Sequence, residues 1–467
     1  MAPRSIRIRP VLLKSIVIVL LSLSAFAFRR SVVEASPAAD LPSLLYTRTT
    51  HYETLAWMHG GDRFSSGATI VVRDSNGARP LVPGFAASAD PAISFDGRRV
   101  LFAGKLKAQD PWQIWEIALA GGEPRRITSG SEDCIRPFYL PENRVLYARR
   151  IAGRFVVETL DLAGGKPLPL SYGPANFLPT DVLRDGRILF EAAYPLGAEA
   201  VPEIYTVYSD GSGVESYRCD HGTVRHSGRQ VSSGDIVFAS SHGPADFSLA
   251  RFTSARAQEV HISVPAGEYA GEVVETPVGD WLLPWRADAK AQFQLMLWTP
   301  GSPALRPAVT EPNEDALQPA LIAERPVPNR HPSGLHEWPN ANLLCLNAYT
   351  SKYQFAAGSI HSVRFYTPDD SGNPRLLGTA PVERDGSFFV QVPTEKPLQI
   401  ELLDSAGKTL KHEAGFFWMR RGEQRGCVGC HAGPETSPEN AVPMILLKST
   451  TPADMTGASA QNASGGH

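Results

Sequence analysis

Cysteine is scarce in this sequence, with five residues among 467. Two of the five sit in one short motif, and the other three, Cys134, Cys219 and Cys345, allow at most one bridge. A disulfide-stapled scaffold is therefore excluded, and Cys134 and Cys345 read as core residues. Long runs of one charge are missing too. The net charge is −3, from 45 basic and 48 acidic residues spread along the chain, so neither nucleic acid nor an anionic membrane surface is expected as a partner. No HExxH, GxSxG or complete phosphate loop occurs, which leaves little support for a metalloprotease, serine hydrolase or nucleotide enzyme. The stretch AGKT at 406–409 resembles half a phosphate loop, but Leu402 stands where its first glycine belongs, so it reads as a hairpin turn.

Past residue 28 no long apolar run remains. The one that exists, Ser15 to Phe28, follows Arg4, Arg7, Arg9 and Lys14 and ends near the small-residue sites AFA and VEA. Residues 1–35 are therefore expected to be a signal peptide, cleaved near 27 or 35, with an uncleaved anchor as the alternative because Arg29 and Arg30 flank the far side. The run is short of the roughly 20 apolar residues that span a bilayer. The rest of the chain is expected to be periplasmic or otherwise exported, with no membrane span beyond this segment.

Glycine and proline, by contrast, are plentiful and dispersed, 40 and 39 residues, as the turns of a β-rich fold would be. A turn followed by alternating apolar residues recurs at Gly97, Asn143, Gly186, Gly234 and Gly279, at intervals of 46, 43, 48 and 45 residues. A second turn keeps the same beat, in IVVRDSNGARPLV, IWEIALAGGEPRRI, VVETLDLAGGKPLPL, IYTVYSDGSGVESY, LARFTSARAQEVHI and LMLWTPGSPALRPAV. Two markers at one period indicate repeats of four strands, which bury their faces by packing radially. The expected fold is mainly β: a six-bladed TolB/WD40-like β-propeller over 41–327. A late strand such as LQPALIAER completes its first blade. These blades resemble those of TolB-like propellers.

After a Pro-rich boundary the pattern changes to antiparallel strands of period 2, from about 340 to 415, read as a small β-sandwich. It leads into GFFWMRRGEQRGCVGCH. Two thiols two residues apart can reach both vinyl groups of one porphyrin, and the next histidine falls beneath the iron. One covalent haem c is therefore expected on Cys427 and Cys430, with His431 as axial ligand. The competing readings are half a zinc site and a redox dithiol; they lack a second CxxC and a βαβ context respectively. Pro434, Pro438 and Pro443 interrupt the residues after the motif, and 448–467 reads as a disordered polar tail. Haem walls are thus expected from the sandwich and the propeller, with Phe416, Phe417 and Trp418 on one side. The haem module is placed at 328–447.

The other face of the iron decides the chemistry, and Met419, Met444, His331 and His336 are the candidates for a second ligand. Cys219 and His221, two apart on a strand and near His226, are the candidate zinc ligands.

The stretch RPVPNRHPSG…NLLCLNAY…SVRFY…GTAPVERDGSFFVQVPTEKPLQIELLDSAGKTL…GFFWMRRGEQRGCVGCH, preceded by a TolB-like propeller, resembles the alpha subunit of hydrazine synthase and exported proteins that share its middle domain. The resemblance implies a propeller fused to a haem c module and chemistry on a small nitrogen or oxygen compound. In that family a tyrosine shortly after the motif binds the iron and the motif histidine turns to zinc. Here Glu435 is the fourth residue past His431 and no tyrosine follows the motif, so His431 is expected to bind iron and hydrazine synthesis is not expected. Three functions remain: an exported single-haem electron carrier with a redox partner docked on the propeller, a haem enzyme, or a propeller-based binding protein with a structural or sensory haem.

Overall fold

The computed structural model describes residues 41–196, 199–218, 220, 222–241, 247–369, 372–413, 415–429 and 440–457. The expected signal segment lies outside the described residues, as do Cys219, His221, Cys430 and His431. From Pro42 onward the chain forms one unit, and it is mainly β. No described helix is long and apolar enough to cross a membrane.

Six sheets follow one another along the first two thirds. The second runs Ala87–Ile93, Arg99–Lys105, Gln113–Ala118 and Arg125–Arg126, each strand antiparallel to the last. The third (from Cys134), fourth (from Asn176) and fifth (from Val224) repeat that plan. In the sixth, Glu268–Tyr269 and Val274–Glu275 both pair with Trp281–Arg286. The five turn residues read from the sequence fall between the first and second strands of the second to sixth sheets, all at positive φ, such as 71° at Gly97 and 58° at Asn143. The second set of turns joins third strands to fourth. Leading strands such as Cys134–Leu140 are buried throughout, whereas edge strands such as Gly77–Pro80 are exposed. Each repeat therefore passes from a two-sided core to solvent within four strands.

The first sheet is assembled differently. Its leading strand is Asp315–Leu321, which pairs with Leu44–Thr49, with Leu45 opposite Ala320. Leading strands touch from the first sheet to the fifth, and the sixth sheet's Trp281–Arg286 packs back on Asp315–Leu321.

Two further four-stranded sheets face each other over a core of Leu343, Val363, Phe365, Phe388, Val390 and Leu402. One contains Pro374–Pro381, Ser362–Pro368, Gln399–Leu403 and Thr409–His412, all antiparallel. Gly407 turns the last hairpin at φ 76°, as the reading of AGKT required. The other sheet corrects the expectation of a purely antiparallel sandwich that ends near 415. Gln424–Cys427 pairs parallel with Asn340–Cys345, and Ala453–Asp454 pairs parallel with Phe388–Pro393. The expected disordered tail is also corrected in its first part. A short helix, Met444–Lys448, leads into Ala453–Asp454, and Met455 is buried at 3 % exposure in the sandwich core. One apolar side chain among polar neighbours anchors this strand, whose backbone is held by Phe388–Pro393, with Met455 N donating to Gln391 O at 2.8 Å.

Candidate functional site

A cavity of about 670 Å³ opens between the fourth sheet and the sandwich. Phe416, Phe417, Leu343, Ile400, Leu402 and Val214 give it apolar walls. Its charged lining holds Arg187, Arg218, Arg256, Lys352, Lys411 and Arg425 with Glu215, Glu413 and Glu423, and Arg187 and Arg218 are also paired outside it, with Asp185 and Asp220. Arg187 and Arg256 share Glu215, at 3.1 and 3.4 Å. A pocket of this size, apolar with convergent cations at its edge, suits a large flat apolar molecule that carries carboxylates.

The segment 416–427 builds the cavity's sandwich side, and its consecutive aromatics part company. Phe417 exchanges backbone hydrogen bonds with Leu398, at 2.7 and 3.0 Å. Trp418, expected beside Phe416 and Phe417 as a wall, does not line the cavity. It packs fully buried against Phe177, with ring centroids 5.6 Å apart, among the residues of the third and fourth sheets. Alternation along an extended chain puts Phe416 and Trp418 on one side, with Phe416 5.3 Å from Tyr194 in the same cluster, and turns Phe417 toward the sandwich core. Glu423, itself buried, then ties the module to the fourth sheet. It accepts from Gly213 N at 3.1 Å and Arg420 N at 2.7 Å, and holds Arg425 at 2.6 Å.

Cys427 ends the parallel strand and borders the cavity, with Cys345 as its register partner. The Cys345 thiol hydrogen-bonds the Cys427 sulfur and pulls its pKa down to about 6, against the effect of burial. The Cys427 sulfur also donates to Gly429 O at 3.3 Å, and a lowered pKa makes the nucleophilic thiolate easier to form. Two residues on, Gly429 has φ 151°, and a Cβ there would stand 2.1 Å from the Thr350 carbonyl oxygen. Gly429→Ala is expected to cost about 1–3 kcal/mol in backbone strain alone. It should lower the melting temperature and speed alkylation of Cys427, and an unchanged protein on both measures would contradict this close approach.

Of the four residues considered as second iron ligands, His331 lines the cavity and the other three do not. His331 stacks on Tyr208 at 3.6 Å. It arrives there on a linker whose Asn329 N–H bonds Arg184 O at 2.8 Å, against the side of Gly186 where a Cβ would collide. Met419 is buried in the sandwich core, and His336 lies by Trp338 with rings 5.6 Å apart. Met444 opens the short helix, its N–H on Asp385 at 2.7 Å.

Of the zinc candidates, only His226 is described. It is buried in the fifth sheet's leading strand, its Nδ1 3.0 Å from Ser227 Oγ and its ring edge-on to Phe247. Among the described residues no group of three or more His, Cys, Asp or Glu is placed to hold a metal ion.

Sequence reading missed a second polar centre. Asp90, Arg136, Ser227 and Gln318 take positive φ in four leading strands, and Glu272 does so between Glu268–Tyr269 and Val274–Glu275. Their backbone and side chains bond across sheets: Gln318 Oε1 accepts from Asp90 N at 2.9 Å, and Asp90 Oδ2 from Arg136 N at 3.0 Å. Arg63 holds Asp90 at 2.6 Å and Arg136 holds Glu272 at 2.6 Å, all four buried. Glu191 accepts from Ser227 N, and burial raises its pKa to about 7.

Fold and cavity together define a mainly β protein in which six sheets carry a sandwich with a thiol-edged apolar cavity. Residues 351–432 match the family model of the hydrazine synthase alpha subunit middle domain. Among solved structures the chain is similar to Kuenenia stuttgartiensis hydrazine synthase, at 16% identity and a TM-score of 0.71, over 88% of this chain and 71% of that one. It is also similar to TolB from Acinetobacter baumannii, at 13% identity and a TM-score of 0.46, over 60% of this chain and 67% of that one. No curated protein matches the chain.

Proposed function

We propose that this is an exported protein carrying one covalent haem c in the cavity between the fourth sheet and the sandwich, and that it acts as a haem enzyme on a small nitrogen or oxygen compound. The observation that carries the reading is the 670 Å³ cavity with Cys427, the first cysteine of the CxxCH motif, at its edge. Cys427 and Cys430 would hold the porphyrin and His431 the iron, and the group supplies one-electron chemistry when bound. Arg187, Arg218, Arg256, Lys352 and Lys411 would receive its carboxylates. Phe416, Phe417 and Leu343 would give the bound group apolar walls and keep water from it. Met419, Met444 and His336 stay away from the cavity, which favours an iron face left for a small molecule. The six sheets are read as the blades of a TolB-like propeller, and a redox partner protein is expected to dock on it.

A second reading rests on His331. If its imidazole reaches the iron, the protein is a closed electron carrier. Optical spectra of the exported chain, oxidised, reduced and reduced with carbon monoxide, separate the two. The enzyme reading expects a high-spin spectrum shifted by carbon monoxide. A low-spin spectrum indifferent to carbon monoxide, becoming responsive in His331→Ala, would replace it with the carrier. Absence of covalent haem would overturn both.

A further inference from the structure

Cys345 and Cys427 stand opposite each other on neighbouring parallel strands and their thiols are hydrogen-bonded. Strands in a sheet lie about 4.8 Å apart, within the roughly 4.4–6.8 Å between Cα atoms that a disulfide spans. We propose that in the chain before haem attachment these two thiols form a disulfide that withholds the Cys427 sulfur from the cavity, making Cys345 a redox guard of the attachment site. The inference rests on the haem reading for its purpose but not for its chemistry.

The two sulfurs differ in access. Cys345 is 1 % exposed, whereas Cys427 borders the cavity. A small disulfide such as oxidised glutathione enters there, and the Cys427 thiolate attacks it to give a mixed disulfide and one glutathione thiolate. Cys345 then gives up its proton, attacks the Cys427 sulfur and expels the second glutathione. Two thiols are oxidised to one disulfide while one disulfide is reduced to two thiols, so electrons balance. A dithiol reductant runs the exchange backwards. The lowered Cys427 pKa favours the first attack at neutral pH. Thioether formation adds S–H across a vinyl double bond, and a sulfur in a disulfide has no S–H to add. Cys134 sits apart, buried in the third sheet with its thiol toward Glu132 O at 3.9 Å, and serves as the internal control.

The test uses the full chain made in a host without haem attachment. It is equilibrated in glutathione redox buffers, blocked with N-ethylmaleimide in denaturant, and mapped by mass spectrometry without reduction. The expected result is a 345–427 cross-linked peptide under oxidising buffers, absent in Cys345→Ala, with Cys134 alkylated throughout. A 427–430 cross-link, or full alkylation of both 345 and 427, overturns the proposal. A second arm uses Cys430→Ser, in which the motif cannot close on itself. Haem supplied to this variant should attach through Cys427 when reduced, and on the order of tenfold less when oxidised. Equal attachment in the two states overturns the guard role. If haem attaches to no variant in either state, the haem reading and the guard role fail together, while the peptide map still decides whether the disulfide forms.

Discussion

Trp418→Ala is expected to destabilise the protein by about 3–5 kcal/mol, the range for truncating a buried aromatic. Trp418 is 0 % exposed and meets three aromatic rings, edge-on to Phe177 at 5.6 Å and Tyr172 at 6.0 Å and tilted to Phe190 at 6.2 Å. Each pair adds about 0.5–1.5 kcal/mol beyond area burial. The residue also sits between a cavity wall and the sandwich core. Phe417 precedes it, Met419 comes after it, and its carbonyl accepts from Arg425 at 3.0 Å. Losing the indole therefore loosens the attachment of the module to the third and fourth sheets. In urea, the midpoint should fall and the single transition should split, because the module no longer shares a core with its neighbours. Trp418→Phe should retain most of the packing. A loss below about 1 kcal/mol for the alanine variant would contradict this account.

Stability should also respond to pH through Glu191 and His226, with opposite signs. Glu191 is desolvated by burial, and its pKa rises from 4.5 to about 7. Between those values the folded state holds a proton that the unfolded state releases, so stability falls as pH rises through 7. At about 1.36 kcal/mol per unit the whole shift is worth roughly 3 kcal/mol. Burial, and then the charge of Arg136, lower His226 from 6.5 to about 3. Here the unfolded state holds the extra proton, so stability is lost as pH falls from 6.5 toward 3. From these two groups, stability should climb up to pH 4.5, stay nearly level to 6.5, and decline toward 7. Glu191→Gln keeps an oxygen for the Ser227 N–H and carries no charge. Its stability relative to the parent should rise by roughly 3 kcal/mol between pH 4.5 and 7.5. Urea titrations at each pH measure this, and a difference that does not change with pH would refute the assignment.

The repeats were legible because turns are local. Gly97, Asn143, Gly186, Gly234 and Gly279 announce hairpins through residues that tolerate positive φ, and the structure puts a hairpin at each. Another signal was present and went unread. A polar residue stands seven positions before four of those turns, as Asp90 before Gly97, Arg136 before Asn143, Ser227 before Gly234 and Glu272 before Gly279. A polar residue at this fixed offset marks a bulge whose N–H is bonded from the preceding sheet, as Asp90 N is by Gln318 and Arg136 N by Asp90. The parallel strand Gln424–Cys427 had no such sign. Its partner lies about 80 residues earlier and its composition is polar, so nothing nearby in sequence specifies the pairing. The cationic edge of the cavity was hidden likewise, since Arg187, Arg256 and Lys411 come from three distant segments. Trp418 misled because three aromatics in a row suggest one wall, while an extended backbone divides them between two cores.

The late strand of the first sheet has a consequence for how the chain is made. Leu44, Leu45 and Tyr46 are buried in the folded chain, where Leu44 and Leu45 stand opposite Leu321 and Ala320 of Asp315–Leu321. Bringing ends about 270 residues apart together costs roughly 5 kcal/mol of chain entropy, which no contact offsets until residue 321 has been synthesised. Until then the earliest strand keeps an apolar edge with unpaired amides, the kind of surface that recruits other strands. A nascent or truncated chain is thus an aggregation hazard until about seven tenths of it has been made, and its solubility depends on escort until that one pairing is made.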